Sequence, residues 1–387
     1  MIEFFHPFPS DVPYMYMKLP SIGAIVALTV VTCVSTASAL SGVYEVQPGD
    51  SLWEIATRFS TTVGQIKKLN RLRSARIYPG QKLQVGSRIK EFLTPNGPYY
   101  WSQPQRERQP SRDYFEPSKT SASADYGRAS QLLAAYQADL GMRFKNLKGR
   151  KTPLKGWRIV LDPGHGGRDP GAIVSNKDGR GKSVLVVEDE YVYDMTVRVM
   201  ERLTLYGAEV ELTVISPNHV KRDNVPAGET FVNEKNEVYN DGQYNRRKDP
   251  MVRPGSHNIG RRVTVANRFY GSHRSRKTLF VSLHADNSPG RPKGPLVIYQ
   301  KKGGRSDQAS QRFAKVMQKA LDHPSVPSQI GGRNMAVLRG NRAKAEILVE
   351  IRNVSFKGDA WALRFHGKRQ EDAERIVKGV LNYVKQN

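Results

Sequence analysis

The stretch Arg158-Ile-Val-Leu-Asp-Pro-Gly-His-Gly-Gly-Arg-Asp-Pro-Gly-Ala-Ile173 constrains the fold more than any other part of the chain. Its apolar run has the length of a buried strand and stops at an Asp-Pro turn followed by glycines around one histidine. Gly164, Gly166 and Gly167 put no Cβ atoms beside the His165 imidazole, so a metal or a bulky substrate can approach it closely. Open α/β sheets usually carry their chemistry at the C-terminal edge of such strands. Taken alone, a histidine among glycines is more often a turn residue than a ligand, so the remaining chain must supply partners.

From Trp157 onward the apolar periodicity alternates between strand and helix. Helical spacing of Tyr191, Met195, Val199 and Leu203 predicts a helix opening at Glu188 and ending before Gly207. Strands are expected over 208–215, 278–286, 294–300 and 346–351, and helices over 262–269, 307–321 and 371–384. Such alternation predicts an α/β fold, a twisted and mostly parallel sheet with helices on both faces. Three polar residues stand where these buried elements begin or end: Glu188 at a helix start, His284 at a strand end, and Glu350 within an apolar strand. A buried glutamate is costly unless a proton, a cation or a metal meets it. Two imidazoles and a carboxylate with one open position form the usual ligand set of catalytic zinc, and a second carboxylate can serve as base.

Charge narrows the partner. Lys and Arg total 61 against 36 acids, for a net charge of +25, which fits nucleic acid, an anionic membrane surface or an acidic cell-wall polymer. The single cysteine, Cys33, excludes an intramolecular disulfide and a thiolate zinc cluster. It lies in the apolar run 22–34, too short for an ordinary membrane span and followed by Ala37-Ser-Ala39. Residues 1–39 therefore read as a secretory signal peptide, with an uncleaved anchor as the alternative. The expected location is beyond the inner membrane, in the periplasm or cell wall, with no stable membrane span after cleavage. In that setting nucleic acid is not the partner, and anionic wall polymers are.

After this leader, Val43, Tyr44 and Val46 suggest a strand and Pro48-Gly49 a turn. Asp50 or Ser51 then caps a helix with Leu52 and Ile55 inward. A second helix through Val63, Ile66 and Leu69 and a closing strand over 77–85 complete a βααβ unit. With Asn70, Leu72 and Ile77-Tyr-Pro-Gly-Gln81, it resembles a LysM module spanning 43–86. That resemblance implies binding of N-acetylglucosamine-containing glycans such as peptidoglycan. The implied contact loops are Gly49, Asp50, Ser51 and Leu52, and Ile77, Tyr78, Pro79 and Gly80, although for Leu52 a core position is the better reading. Residues 87–150, rich in Pro, Ser, Arg and Gln, look like a linker, with a short amphipathic helix at 129–144 able to pack on the next domain.

Over 157–385 the chain resembles the zinc-dependent N-acetylmuramoyl-L-alanine amidases of the amidase 3 type. The matching motifs are Leu161-Asp-Pro-Gly-His165-Gly-Gly-Arg-Asp169-Pro-Gly-Ala172, Glu188 with its helix, Arg262 with Ala266-Asn267, Ser282-Leu-His284-Ala-Asp286 and Leu348-Val-Glu350. The resemblance implies that His165, Glu188 and His284 bind Zn2+, that Glu350 is catalytic, and that the amide between muramic acid and L-alanine of the stem peptide is hydrolysed. Asp162 and Asp169 are candidates for orienting His165. Arg262 is a candidate substrate contact, with a structural role as the alternative. An activating envelope protein is compatible with the family. A non-catalytic peptidoglycan-binding protein or hydrolase activator is the competing reading, opposed by the presence of all four site positions.

Two departures stand out. Glu188-Asp189-Glu190 offers two candidate ligands, and ungapped alignment through the helix to Gly207 selects Glu188. Arg352-Asn-Val-Ser-Phe356 replaces the family's usual Gly-Phe-x-Ser-Asn, which puts substrate contacts there in question. Finally, the polar insertion 216–260, with Lys221, Arg222, Arg246, Arg247, Lys248 and Arg253, should overhang the zinc site as a mobile basic rim, with a disordered surface loop as the equal alternative.

Overall fold

The computed structural model describes residues 43–46, 52, 55, 63–78, 80–85, 121–146, 151–177, 183–222, 231, 235–246, 252, 256–271, 277–322 and 326–387. The leader at 1–39 and the stretch 87–120 lie outside them. In chain order the elements are β1 (Val43–Glu45), α1 (Val63–Leu69), β2 (Lys82–Gln84) and α2 (Ala122–Asn146). Next come β3 (Arg158–Pro163), β4 (Ile173–Lys177), β5 (Ser183–Val187), α3 (Glu188–Leu205), β6 (Glu209–Leu212), β7 (Val214–Ile215) and β8 (Val238–Tyr239). The chain continues with α4 (Ser256–Tyr270), β9 (Thr278–Asp286), β10 (Leu296–Lys302), β11 (Arg305–Ser306) and α5 (Gln308–Leu321). It ends with β12 (Gln329–Arg333), β13 (Ala345–Asn353), α6 (Lys357–Arg364) and α7 (His366–Lys385).

Alternation along the central strands sets the layers. Ile159, Leu161, Val281, Leu283, Ile347 and Val349 point into one core, shared with α3, α5 and α7. Val160, Phe280, Ile298 and Leu348 point into a second, covered by Ala266 and Tyr270 of α4. The sheet runs β11-β10-β13-β9-β3-β6, with β12 also on β10. Its centre, from β13 through β9 and β3 to β6, is parallel throughout, and β10 is antiparallel to β13. The fold is therefore α/β with a mostly parallel sheet between helices. Parallel direction brings the C-terminal ends of β3, β9 and β13 to one edge.

Sequence periodicity locates β9 to the residue. It overlooks the β4–β5 hairpin, β12 and α6, and it runs β6 and β7 together across the break at Thr213. The helix expected at 129–144 within the linker is present and longer than its apolar spacing indicated. Residues 122–146 form one long helix whose Ala122, Ala129 and Leu133 enter the main core. Its Tyr136 hydroxyl donates to Glu201 Oε2 at 2.5 Å, and Arg143 donates to Glu201 Oε1 at 2.9 Å. This part of 87–150 is packed structure, not tether.

A separate small core joins Val46, Leu52, Ile55, Ile66, Leu83 and Val85. β1 and β2 pair antiparallel, with Tyr44 opposite Leu83. The Asn70 side chain locks α1 to β2: it donates to Ile66 O and Gln84 O and accepts from Gln84 N. Gly80 has φ of 85°, a conformation that favours glycine.

If α2 belongs to the α/β unit, truncating Leu133 to alanine removes buried contacts. Leu133→Ala is expected to destabilise that unit by about 2–5 kcal/mol, read from its denaturant-unfolding midpoint. An unchanged midpoint would show that the helix is not packed.

Candidate metal centre

Strand polarity changes at the shared edge. The face that carries Val160, Phe280 and Leu348 continues two residues on with Asp162, Ser282 and Glu350, and then His284, so one apolar face turns polar where the strands end. Register pairs Glu350 with His284 and Asp162 with Ser282 across neighbouring parallel strands, which puts each pair on the same side of the sheet. His165 lies just beyond β3, and α3 brings Glu188 in its first turn.

Three atoms converge there. His284 Nδ1 and His165 Nε2 are 3.2 Å apart, and Glu188 Oε1 lies 3.3 Å from His165 Nε2 and 3.4 Å from His284 Nδ1. Zinc bonds of about 2.0–2.1 Å in tetrahedral geometry require ligand atoms about 3.3–3.4 Å apart, so this triangle matches one face of that tetrahedron. Two imidazole nitrogens facing each other across 3.2 Å need a shared cation or proton between them. Among the described residues, this is the group of His, Cys, Asp and Glu side chains close enough to hold a metal. Glu190, the other sequence candidate, points elsewhere: its Oε2 accepts from Arg222 at 2.6 Å.

The triangle is held from outside. Glu188 is buried, its Oε1 accepting from Ala285 N and its Oε2 from Ala172 N, both at 2.8 Å. Asp169 Oδ1 stands 3.1 Å from His165 Nδ1, on the side of the ring away from the Nε2 that faces the centre. Burial works against charge on His165, but the Glu188 carboxylate and Asp169 outweigh it and push the imidazole up to about 10. Burial likewise opposes ionisation of Glu188, yet His165 and His284 hold it well below the usual carboxylate range. The site thus favours positive charge at its centre, which a divalent ion supplies while the imidazoles become neutral.

Glu350 behaves differently. Burial pushes its carboxyl up to about 7, opposed by His284 and reinforced by Glu188 and Asp286. Its Oε2 is buried with no hydrogen-bond partner among the described residues. A carboxyl of this kind beside the triangle is suited to taking and releasing a proton near neutral pH.

The glycine motif is explained by contacts. A Cβ on Gly164 would stand 2.5 Å from the His284 ring, and one on Gly171 would stand 2.6 Å from Glu188 Oε2. His165 itself has φ of 63°, unusual for a non-glycine residue. Arg262 stabilises that turn, donating to Asp162 Oδ1 at 2.9 Å, to Pro163 O at 2.6 Å and to the His165 carbonyl. Asp162 also accepts from Ser282 Oγ at 2.6 Å and from the Thr213 hydroxyl. Arg262 is 5% exposed with its donors directed into the chain, which places it beneath the His165 turn.

The insertion 216–260 also differs from the expected mobile rim where it is described. Lys221 donates to Glu201 at 2.8 Å, and the Arg222 guanidinium sits 4.3 Å from the centre of the Phe231 ring besides pairing with Glu190. Glu237 Oε2 accepts from Gly167 N and Val252 O from Arg168 N, both at 2.8 Å, so this segment braces the glycine turn. Sequence reading missed Glu237, whose only signal was its polarity in a polar loop. Arg247, Lys248 and Arg253 lie outside the described residues. In the small N-terminal unit, Leu52 is buried at 2% exposure and Ile77 is half-buried, whereas Tyr78 is 47% exposed. Gly49, Asp50, Ser51 and Pro79 lie outside the described residues.

A family model for N-acetylmuramoyl-L-alanine amidase matches residues 159–382. The chain belongs to this amidase family. A LysM domain model matches residues 44–86. An uncharacterized cell wall amidase of Bacillus anthracis is 28% identical over 247 residues, covering 61% of this chain and 37% of that protein. The chain thus spans little more than a third of that amidase relative's length. A probable endopeptidase p60 of Listeria monocytogenes is 40% identical over 75 residues, 19% of this chain and 16% of that protein. Among solved structures, the amidase AmiC2 of Nostoc punctiforme is similar at 23% identity and a TM-score of 0.39, covering 60% of this chain and 99% of that one.

The glycine contacts make a prediction. Gly164→Ala should fold but bind zinc about 10–100-fold more weakly, since its Cβ displaces His284. Gly260→Ala, where a Cβ meets nothing within 4 Å, should bind as wild type does. Isothermal titration with zinc compares the two, and equal affinities would contradict the placement of His284.

Proposed function

We propose that the protein is an exported, zinc-dependent peptidoglycan hydrolase that cleaves the amide between N-acetylmuramic acid and the L-alanine of the stem peptide. The observation that carries this reading is the 3.2–3.4 Å triangle of His165, His284 and Glu188, with a buried Glu350 oxygen beside it that has no hydrogen-bond partner among the described residues. His165, Glu188 and His284 would hold the ion. When bound, zinc supplies Lewis acidity to the scissile carbonyl and to the attacking water.

The chain's own groups do the remaining work. Glu350 takes the proton from the attacking water and passes it to the amide nitrogen as the carbon–nitrogen bond breaks. Burial, which pushes Glu350 up to about 7, matches its proton affinity to both transfers. Asp169 keeps the His165 ring in one tautomer, and the Ala172 and Ala285 amides fix the Glu188 carboxylate. The LysM unit raises local substrate concentration by holding glycan, with exposed Tyr78 as its candidate contact.

Incubation with purified sacculi, with and without chelator, should release free stem peptides only in the metal-loaded protein; mass spectrometry detects them. Glu350→Gln keeps the shape of the side chain and loses its basic oxygen. It should retain zinc and lose at least about a hundredfold in kcat. Residual turnover near wild type would remove Glu350 from the proton transfers. His165→Ala and His284→Ala should instead lose the metal, measured as zinc per chain.

Deleting residues 43–86 should weaken sacculus binding in a pull-down while turnover of small soluble muropeptides is kept. Equal loss on both substrates would make the module part of the catalytic site.

A further inference from the structure

A cavity of about 700 Å³ opens on the sheet edge that holds the metal triangle. Each of its walls continues a segment that carries or clamps a site residue. Val174 and Ser175 follow Ala172, whose amide holds Glu188; Asn287 follows His284; Val354, Ser355 and Lys357 follow Glu350. Since a residue advances the chain by at most about 3.6 Å, Asn287 lies within about 11 Å of His284, and Val354 within about 15 Å of Glu350. A hydrogen bond of 2.8 Å from Ser355 Oγ to Asn287 Oδ1 joins two of the walls.

The lining has a definite chemistry. It offers small apolar side chains, hydroxyls, one carboxamide and one ammonium, and no aromatic ring. Sugars favour aromatic platforms, whereas a short peptide of small residues needs apolar contacts, polar partners for its amides and a cation for any carboxylate. Lys357 is exposed, and no described residue pairs with its ammonium.

The stretch that departs from the family pattern builds this wall. β13 breaks register between Glu350 and Asn353. The Asn353 side chain donates to Ser288 O at 2.8 Å and to Arg291 O at 2.9 Å, and its backbone amide donates to Asp359 Oδ2 at 3.0 Å. Arg352, turned inward, pairs with Asp372 at 2.7 Å and with Asp359 at 3.4 Å. These bonds brace the segment from which Lys357 projects.

We propose that this groove seats the peptide half of the substrate and that the Lys357 ammonium pairs with a free α-carboxylate on that peptide. The inference rests on the amidase reading above. Peptidoglycan stems supply such a group where a glutamate is linked onward through its side chain, leaving its α-carboxyl either free or amidated. Lys357 therefore makes the enzyme selective for the free acid.

Two synthetic muropeptides that differ only in this α-carboxyl, free in one and amidated in the other, test the idea with the full zinc-loaded protein. Wild type should show roughly tenfold higher kcat/KM on the free acid, as expected for a hydrogen bond between charged groups. Lys357→Gln should lose that preference by slowing on the free acid alone, mostly through KM, and Lys357→Arg should restore it. No preference in wild type, or an equal loss on both substrates in Lys357→Gln, would overturn the assignment. Failure of wild type to cleave either substrate would remove the amidase reading itself, and the inference with it.

Discussion

The structure is organised around the need to keep one buried carboxylate ionised. Glu188 is almost completely withdrawn from water, and removing an ion from water is costly unless other groups replace its hydration. Here two backbone amides, from Ala172 and Ala285, and two imidazoles do so. Those four groups come from two segments, the turn after β3 and the end of β9, so the carboxylate fixes where both must meet the start of α3. The parallel sheet satisfies this because it delivers strand ends to a single edge.

Outside that centre a layer of buried charges extends the same principle. Asp162 joins β3, β9 and the β6–β7 break through Ser282, Thr213 and Arg262. Further along α3, Asp194 is shared by Arg198 and Arg369, tying the helix to α7. Breaking such a pair leaves a charge buried without a partner, which is far more damaging than losing an exposed ion pair. The rigidity of the triangle thus depends on buried charges outside it.

How much of this the sequence revealed follows from the range of each signal. β9 is visible because its apolar run is unbroken and bounded by polar residues. Glycines around His165 announced close approach, and ungapped alignment with the resembled family through the helix to Gly207 selected Glu188 over Glu190. What stayed hidden depended on partners distant in the chain. The packing of α2 was legible from 129 to 144, but its start at Ala122 and its tie to Glu201 were not. For Arg262 a structural role was weighed, but nothing local indicated that its donors end on Asp162, Pro163 and His165. Lys221 and Arg222 read as a solvated rim for the same reason: Glu201 and Glu190 lie on α3. Leu52, a member of both a contact loop and an apolar period, belongs to the core.

The two histidines present different ring nitrogens, Nε2 from His165 and Nδ1 from His284. Those nitrogens stand at different distances along the side chain. A glutamine carbonyl falls near the place of Nε2, and an asparagine carbonyl near the place of Nδ1. The pair is therefore chemically alike but not interchangeable in reach, so each position has its own nearest surrogate. Any drift of this centre toward an oxygen-rich set for harder cations would proceed through glutamine at 165 and asparagine at 284, and not through the reverse pairing.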